Sequence, residues 1–315
     1  MPTQDNFTVA TVDIPPPADG QVQVKNIVIS VDPYMRGRMN DVKSYVPPFQ
    51  LGAALEGGAV GRVTDSRAAG FSVGDIVLSM FGWREAYVAD ARALRKLDAS
   101  VEPKSAWLGV VGVTGFTAWV GLNLVNTKAG DRVFISGAAG GVGIIAGQLA
   151  RLRGCTVIGS AGSPEKVALL TKEFGFDAAF NYRDGDVRGQ LMAAAPQGID
   201  VYFDNVGGEH LEAAISALRP FGRVAACGSI SGYNDPTPGP RNMPMIVGKR
   251  LTIKGFIVSD AQSQREQFEA EVGALFRAGT LKAPETTVRG IDNTVAAFLG
   301  LFTGSNTGKM LVAID

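Results

Sequence analysis

The stretch Arg132-Val133-Phe134-Ile135-Ser136-Gly137-Ala138-Ala139-Gly140-Gly141-Val142-Gly143 decides the fold. Its first five residues read as a buried strand, and its glycines then hand the chain to an apolar segment running to about Gly154. A strand, a glycine turn and a helix in that order form a mononucleotide-binding unit. Glycines let the backbone turn sharply and approach a pyrophosphate. The helix N-terminus supplies N–H groups without intrahelical acceptors and a positive end of the dipole. The competing reading is a glycine turn that only packs helix on strand.

The chain on either side extends the pattern. Strand Thr156–Gly159 leads to helix Glu165–Phe174, strand Ala178–Asn181 to a helix around Val187–Ala195, and strand Val201–Asn205 to helix His210–Leu218. Strands Gly222–Gly228 and Leu251–Phe256 and the amphipathic helix Gln262–Ala278 follow. Continuously apolar strands alternating with helices predict a doubly wound parallel sheet covered on both faces, an α/β fold. Before residue 106 the texture differs. Val22–Asn26 alternates with a period of two, and the runs 58–63 and 74–78 are short and bounded by glycine, as in a small β-barrel. The final helix Asp292–Phe302 and strand Lys309–Ile314 are compatible with either part.

Composition narrows the function. The chain has 315 residues, 30 basic against 30 acidic, which gives no global attraction to nucleic acid or an anionic membrane surface. The 46% hydrophobic content suffices for full cores in two domains. Two long uncharged stretches, Ser105–Thr127 and Val133–Ala150, reach spanning length but read as buried core, and a soluble cytoplasmic protein is expected. Two cysteines, Cys155 and Cys227, and the lone His210 leave no zinc cluster with ligand spacing. His210 reads as an exposed helical residue rather than the base of a hydrolase.

The end of the second strand of the mononucleotide unit identifies the cofactor. An NAD site places a carboxylate there for the ribose hydroxyls. Here the residues are Gly159-Ser160-Ala161-Gly162-Ser163, so a 2′-phosphate meets no repulsion and NADP is expected over NAD. Lys166 offers a point charge for that phosphate, and Tyr182 reaches the same edge. The plain alternative makes Ser163 an N-cap, Pro164 the first helical residue and Lys166 a solvated side chain. Asn205 in Asp204-Asn205-Val206-Gly207-Gly208 and the run Ala226-Cys227-Gly228-Ser229-Ile230 end further strands at the carboxyl edge, where ligands bind. Asn205 suits a ribose or carboxamide contact, or a simple turn.

Val31-Asp32-Pro33-Tyr34-Met35-Arg36, the glycine turn, Gly162–Lys166, Phe180-Asn181-Tyr182, Asp204–Gly208, Ser231-Gly232-Tyr233-Asn234 and Lys254-Gly255-Phe256-Ile257-Val258 stand in an order that resembles a known family. It is that of the zinc-free medium-chain dehydrogenase/reductases. The branch is that of prostaglandin reductase (leukotriene B4 12-hydroxydehydrogenase), plant alkenal double-bond reductases and curcumin reductase. The resemblance spans nearly the whole chain. It implies a GroES-like β-barrel domain over 1–105, completed by 279–315, and a Rossmann NADP-binding domain over 106–278.

The resemblance further implies a set of site residues. Gly140, Gly141, Val142 and Gly143 hold the pyrophosphate, Lys166 and Tyr182 hold the 2′-phosphate, and Ser163 is a further cofactor-binding residue. Asn205, Cys227, Gly228, Ser229, Ile230, Ser231, Tyr233, Phe256, Ile257, Val258 and Asn306 line the rest, with Thr117 beside the nicotinamide. Leu55-Glu56-Gly57 lacks the histidine of zinc-dependent relatives, so no metal is expected. The implied activity is NADPH-dependent reduction of the C=C bond of an enone or enal. Hydride goes to the β-carbon, Tyr233 donates to the developing enolate, and Tyr45 faces the substrate. Tyr233 alternatively only clamps phosphates. A homodimer is implied as well. The rivals are a quinone reductase on this scaffold, a non-catalytic NADPH-binding protein, and a dehydrogenase of hydroxy-eicosanoids.

Overall fold

The computed structural model describes residues 1–236 and 238–314. The chain divides into two compact units, one of residues 1–109, 285–306 and 310–315, the other of residues 110–284 and 307–309.

The first unit opens with β1 (Gln21–Ser30), α1 (Met35–Arg38), β2 (Ala59–Ser66), β3 (Ile76–Ser79), β4 (Ala86–Asp90) and β5 (Arg95–Lys96). The second follows with α2 (Val113–Leu124), β6 (Arg132–Ile135), α3 (Gly141–Leu152), β7 (Thr156–Ala161), α4 (Pro164–Glu173), β8 (Ala178–Asn181), α5 (Val187–Ala194), β9 (Ile199–Asp204), α6 (Gly208–Ala217), β10 (Leu218–Ala226), α7 (Pro244–Lys249), β11 (Thr252–Gly255) and α8 (Arg265–Arg277). The chain closes with β12 (Glu285–Arg289), α9 (Thr294–Thr303) and β13 (Lys309–Ala313).

In the first unit the sheet order is β12-β13-β1-β2-β3-β5, with β4 also on β1. Strand β1 organises it. It pairs antiparallel with β2 from Val22 to Ile29, with β4 along its first half and with β13 along Val28–Ser30. Two register shifts against β2 bend it, as bulges do. Its inward side chains Val22 and Val24 join Val63, Val77 and Tyr87 in one core cluster. Ile29 joins Met35, Phe298 and Val312 in another. The C-terminal strand β13 thus pairs into the first sheet, beside β1.

In the second unit all pairings are parallel and the order is β11-β10-β9-β6-β7-β8. In sequence terms this is 3-2-1-4-5-6, the Rossmann order, which reverses direction between β6 and β9. Phe134, Ile158, Leu191, Ile199, Tyr202 and Val224 fill one face of the sheet. Each such burial contributes about 1.5–3 kcal/mol. The two uncharged stretches of spanning length are largely buried core. Among the described residues no helix is long and apolar enough to cross a membrane.

Three expectations need correction. His210 is buried, at 5% exposure, because the first turn of α6 turns its ring onto Phe134 at 6.4 Å and 7°. The segment Gln262–Ala278 is not one helix; a 3-10 stretch, Val258–Gln264, precedes α8, with Ala261 outside helical geometry. Neither α7 nor β12 was anticipated, since one is six residues long and the other, Glu-Thr-Thr-Val-Arg, buries no residue fully.

Candidate functional site

The site builds up from the carboxyl ends of the parallel strands. After β6, Gly137 takes φ +58°, a conformation that favours glycine. Gly140 then caps α3. A Cβ at Gly143 would stand 2.5 Å from the Gly137 carbonyl and 2.7 Å from Ala138 Cα, so only glycine lets helix and turn pack this closely. The first-turn N–H groups of α3, from Gly141 to Gly143, have no intrahelical acceptor and form an anion-binding mouth. The turn is braced from behind: Gly308 N donates to Ala139 O at 2.8 Å. A Cβ on Gly308 would lie 1.9 Å from Pro284 O.

At the switch point β6 and β9 meet through a buried polar cluster. Asp204 Oδ1 accepts from the Tyr202 hydroxyl at 2.7 Å and from the N–H groups of Val206 and Gly207 at 2.9 and 2.7 Å. Ser136 Oγ accepts from Asn205 N at 3.0 Å, and Asn205 Nδ2 donates to Ser136 O at 2.8 Å. Burial raises the Asp204 carboxyl above its usual range, while these donors oppose the rise. Asn205 is therefore held on the β6 end by its own amide, and one face of its side chain is already committed.

The loop after β10 is stitched to the same place. Cys227 N and Gly228 N donate to Asp204 O, Ile230 N to Asn205 O, and Ser231 Oγ to Val206 O at 2.6 Å. Burial pushes the Cys227 thiol up to about 12, so it stays protonated near neutrality. The Tyr233 hydroxyl comes within 3.4 Å of where a Gly228 Cβ would stand, and the Asn205 carbonyl is equally near that point. The phenol of Tyr233, the Gly228 backbone and Asn205 thus converge beside the switch point. Phe256, Ile257 and Val258 follow β11 and are half-buried. Phe256 meets Phe203 edge-on at 6.5 Å. Thr117 in α2 donates its hydroxyl back to Val113 O at 2.8 Å.

Further along the carboxyl edge of the parallel sheet, Ser163 is the N-cap of α4, its Oγ accepting from Lys166 N at 3.3 Å, with Pro164 at the first helical position. The Tyr182 phenol lies across Gly162: a Cβ there would be 2.8 Å from its hydroxyl. Lys166 is half-buried, and its pKa is lowered by that burial and by the charge of Arg183. His210 meets the Tyr182 ring edge-on at 5.3 Å.

These residues fit a dinucleotide carrying a 2′-phosphate. The helix mouth suits the pyrophosphate, no carboxylate ends β7, and Lys166 and Tyr182 stand beside Gly162 and Ser163. Eighteen of the nineteen expected cofactor residues lie in the second unit, whereas Asn306 and the expected substrate residue Tyr45 belong to the first. Tyr45 is 62% exposed and sits in the loop between α1 and Phe49. In that unit Glu56 accepts from Arg38 at 2.8 Å, and Arg38 lies over the Phe49 ring at 4.1 Å. Among the described residues no group of three or more His, Cys, Asp or Glu is arranged to hold a metal ion.

Sequence reading passed over two parts of this site. Tyr202 and Asp204 were legible as a period-two pair on one face of β9, which sends both side chains to the same place. Arg183 directly follows Tyr182 and gave no signal apart from its neighbour.

Two units of this construction, one antiparallel and one Rossmann, define an oxidoreductase scaffold, and the chain belongs to the medium-chain dehydrogenase/reductases. Residues 1–97 match the N-terminal domain of oxidoreductase family, and residues 141–276 match the zinc-binding dehydrogenase family. The chain is 38% identical to the NADP(+)-dependent 2-alkenal reductase of Nicotiana tabacum, covering 100% of this chain and 94% of that protein. It is 39% identical to prostaglandin reductase 1 of Rattus norvegicus, covering 99% and 95%. The crystal structure of CurA in complex with NADPH from Vibrio vulnificus superposes with a TM-score of 0.95 at 36% identity, covering 100% of this chain and 96% of that one.

Proposed function

We propose that this protein is an NADPH-dependent oxidoreductase that reduces the activated C=C bond of α,β-unsaturated ketones and aldehydes. The observation that carries the reading is the convergence of the Tyr233 hydroxyl, Gly228 and Asn205 at the switch point of a sheet whose glycine turn suits a pyrophosphate. The names of the similar proteins, alkenal reductase and prostaglandin reductase among them, support the same chemistry.

When bound, NADPH supplies a hydride, which goes to the β-carbon of the substrate. Negative charge then develops on the carbonyl oxygen. The Tyr233 phenol donates a hydrogen bond there, and a positioned donor of this kind is usually the main catalytic contribution. Solvent protonates the α-carbon, so no dedicated acid is required. Gly140 to Gly143 bind the pyrophosphate; Ser163, Lys166 and Tyr182 bind the 2′-phosphate; Asn205, the 227–231 run, Phe256–Val258, Thr117 and Asn306 take the remainder. Tyr45 binds substrate, and the division into a substrate domain of 1–105 with 279–315 and a cofactor domain of 106–278 belongs to this reading.

The same reading includes a homodimer. It is supported by the outermost strand β11, whose four residues, Ile253 among them at 40%, are all exposed, and by Val247 of α7 at 79% exposure. A bare strand edge with apolar neighbours favours pairing with a second copy. The enzyme works in the cytoplasm, where NADPH is supplied and free thiols such as Cys155 and Cys227 stay reduced.

The test is a comparison of kcat/KM for an alkyl enone, an enal and a benzoquinone, each with NADPH and with NADH. Enone and enal turnover with preference for NADPH is expected. Turnover of quinone alone would make the protein a quinone reductase, and NADPH binding without any turnover would make it a binding protein. NADP+-dependent oxidation of a long-chain allylic alcohol, with no enone reduction, would assign it the oxidative direction.

A further inference from the structure

We infer that Arg183 is a specificity-determining residue for the dinucleotide's 2′-phosphate, acting beside Lys166 and Tyr182; the inference rests on the NADPH reading above. The argument begins with register. Strands β7 and β8 are parallel neighbours, and Ala161 stands opposite Asn181 as the last pair. The segments leaving both strands therefore start at the same height on the carboxyl edge. One carries Gly162, Ser163 and, a turn later, Lys166; the other carries Tyr182 and Arg183.

The side chains bear this out. The Tyr182 hydroxyl lies against Gly162, joining the two segments. The Arg183 guanidinium carbon is 5.8 Å from the Tyr182 ring centroid, so the cation flanks the same phenol. Lys166 feels Arg183 as a like charge. A dianion seated between two cations on adjacent strand ends is attracted by both. Two carboxylates are close in sequence. Asp184 accepts from Asn181 Nδ2 at 2.6 Å, and Glu165 in the first turn of α4 is lowered in pKa by the Ser163 side chain.

The chemistry assigns the two cations different work. Lys166 is a point charge on a flexible stem, half-buried at a helix start. Arg183 presents a planar fork that matches two phosphate oxygens at once, and it is exposed, so a ligand reaches it from solvent. A 2′-hydroxyl offers neither the charge nor the paired oxygens. Arg183 should then matter for the phosphorylated ribose and be indifferent to the plain one.

The experiment titrates the wild-type enzyme and the Arg183→Ala, Arg183→Lys and Lys166→Ala variants with 2′,5′-ADP, 5′-ADP, NADPH and NADH, by calorimetry and by nicotinamide fluorescence. Arg183→Ala is expected to weaken 2′,5′-ADP and NADPH by about threefold to tenfold, the size of one exposed charge-assisted contact. It should leave 5′-ADP and NADH unchanged, and Arg183→Lys should recover part of the loss. If Arg183→Ala keeps the wild-type ratio of 2′,5′-ADP to 5′-ADP affinity while Lys166→Ala lowers it, the role of Arg183 is overturned and the NADPH reading stands. If the wild-type protein itself does not distinguish 2′,5′-ADP from 5′-ADP, both fall.

Discussion

The Tyr202 hydroxyl lies 2.7 Å from Asp204 Oδ1 in the centre of the parallel sheet, and the same oxygen receives the N–H groups of Val206 and Gly207. Both residues are buried, Tyr202 completely. Asp204→Ala would strand the two backbone donors away from water, while the Tyr202 phenol keeps Ser136 Oγ at 2.9 Å. At about 1–3 kcal/mol for each orphaned donor, a loss of roughly 2–6 kcal/mol in unfolding free energy is expected. Tyr202→Phe removes one donor to Asp204 and should cost only about 1 kcal/mol. Urea denaturation of both variants checks the ordering, and equal losses would contradict it.

The glycine turn makes a sharper prediction, because its glycines are not equivalent. Gly143→Ala drives a Cβ to 2.5 Å from the Gly137 carbonyl and should cost several kcal/mol, as backbone must move. At Gly140 the backbone φ is −82° and the nearest atom to a Cβ is 3.2 Å away, so Gly140→Ala should fold with a loss below about 1 kcal/mol. Thermal melting with and without NADPH distinguishes the two. Comparable melting temperatures would show that close packing of α3 on its turn is not what holds Gly143.

Stability should fall in acid through one residue. Burial holds His210 down at about 4, and its Nε2 has no hydrogen-bond partner. An unfolded histidine takes its proton near pH 6.5, so the unfolded chain binds more protons between those values. Stability is then complete above pH 6.5 and declines as pH drops toward 4, by up to about 3 kcal/mol. His210 is the one histidine in the sequence, so no second imidazole contributes to this window. His210→Phe, keeping a ring against Phe134 and Tyr182, should flatten the profile between pH 6.5 and 4.5. An unchanged slope would assign the acid sensitivity elsewhere.

Within the proposed activity, Tyr233→Phe should lower kcat by roughly 10- to 100-fold, the usual size of a lost donor to a developing oxyanion. NADPH affinity should change little, since the ring that covers Gly228 is retained. A weakened NADPH Kd with kcat intact would make Tyr233 a clamp for the cofactor instead.

Much of this architecture was legible in residue order. The run from Arg132 to Gly143 announced strand, turn and helix, because glycine's conformational freedom and the apolar period act over a few residues. The Ser163-Pro164 start of α4 was equally local, and the structure shows it as read. His210 was misjudged because its burial depends on Phe134 and Tyr182, which come from other strands. The sequence alone therefore determined the βα alternation and the glycine turn. Which strands lie side by side was decided only in three dimensions, where parallel pairing brings Ser136 to Asn205 and Ala161 to Asn181. Hydrogen bonds between distant strands carry no trace in neighbouring residues, so the grouping of Tyr233 with Gly228 and of Arg183 with Lys166 emerges only from the folded sheet.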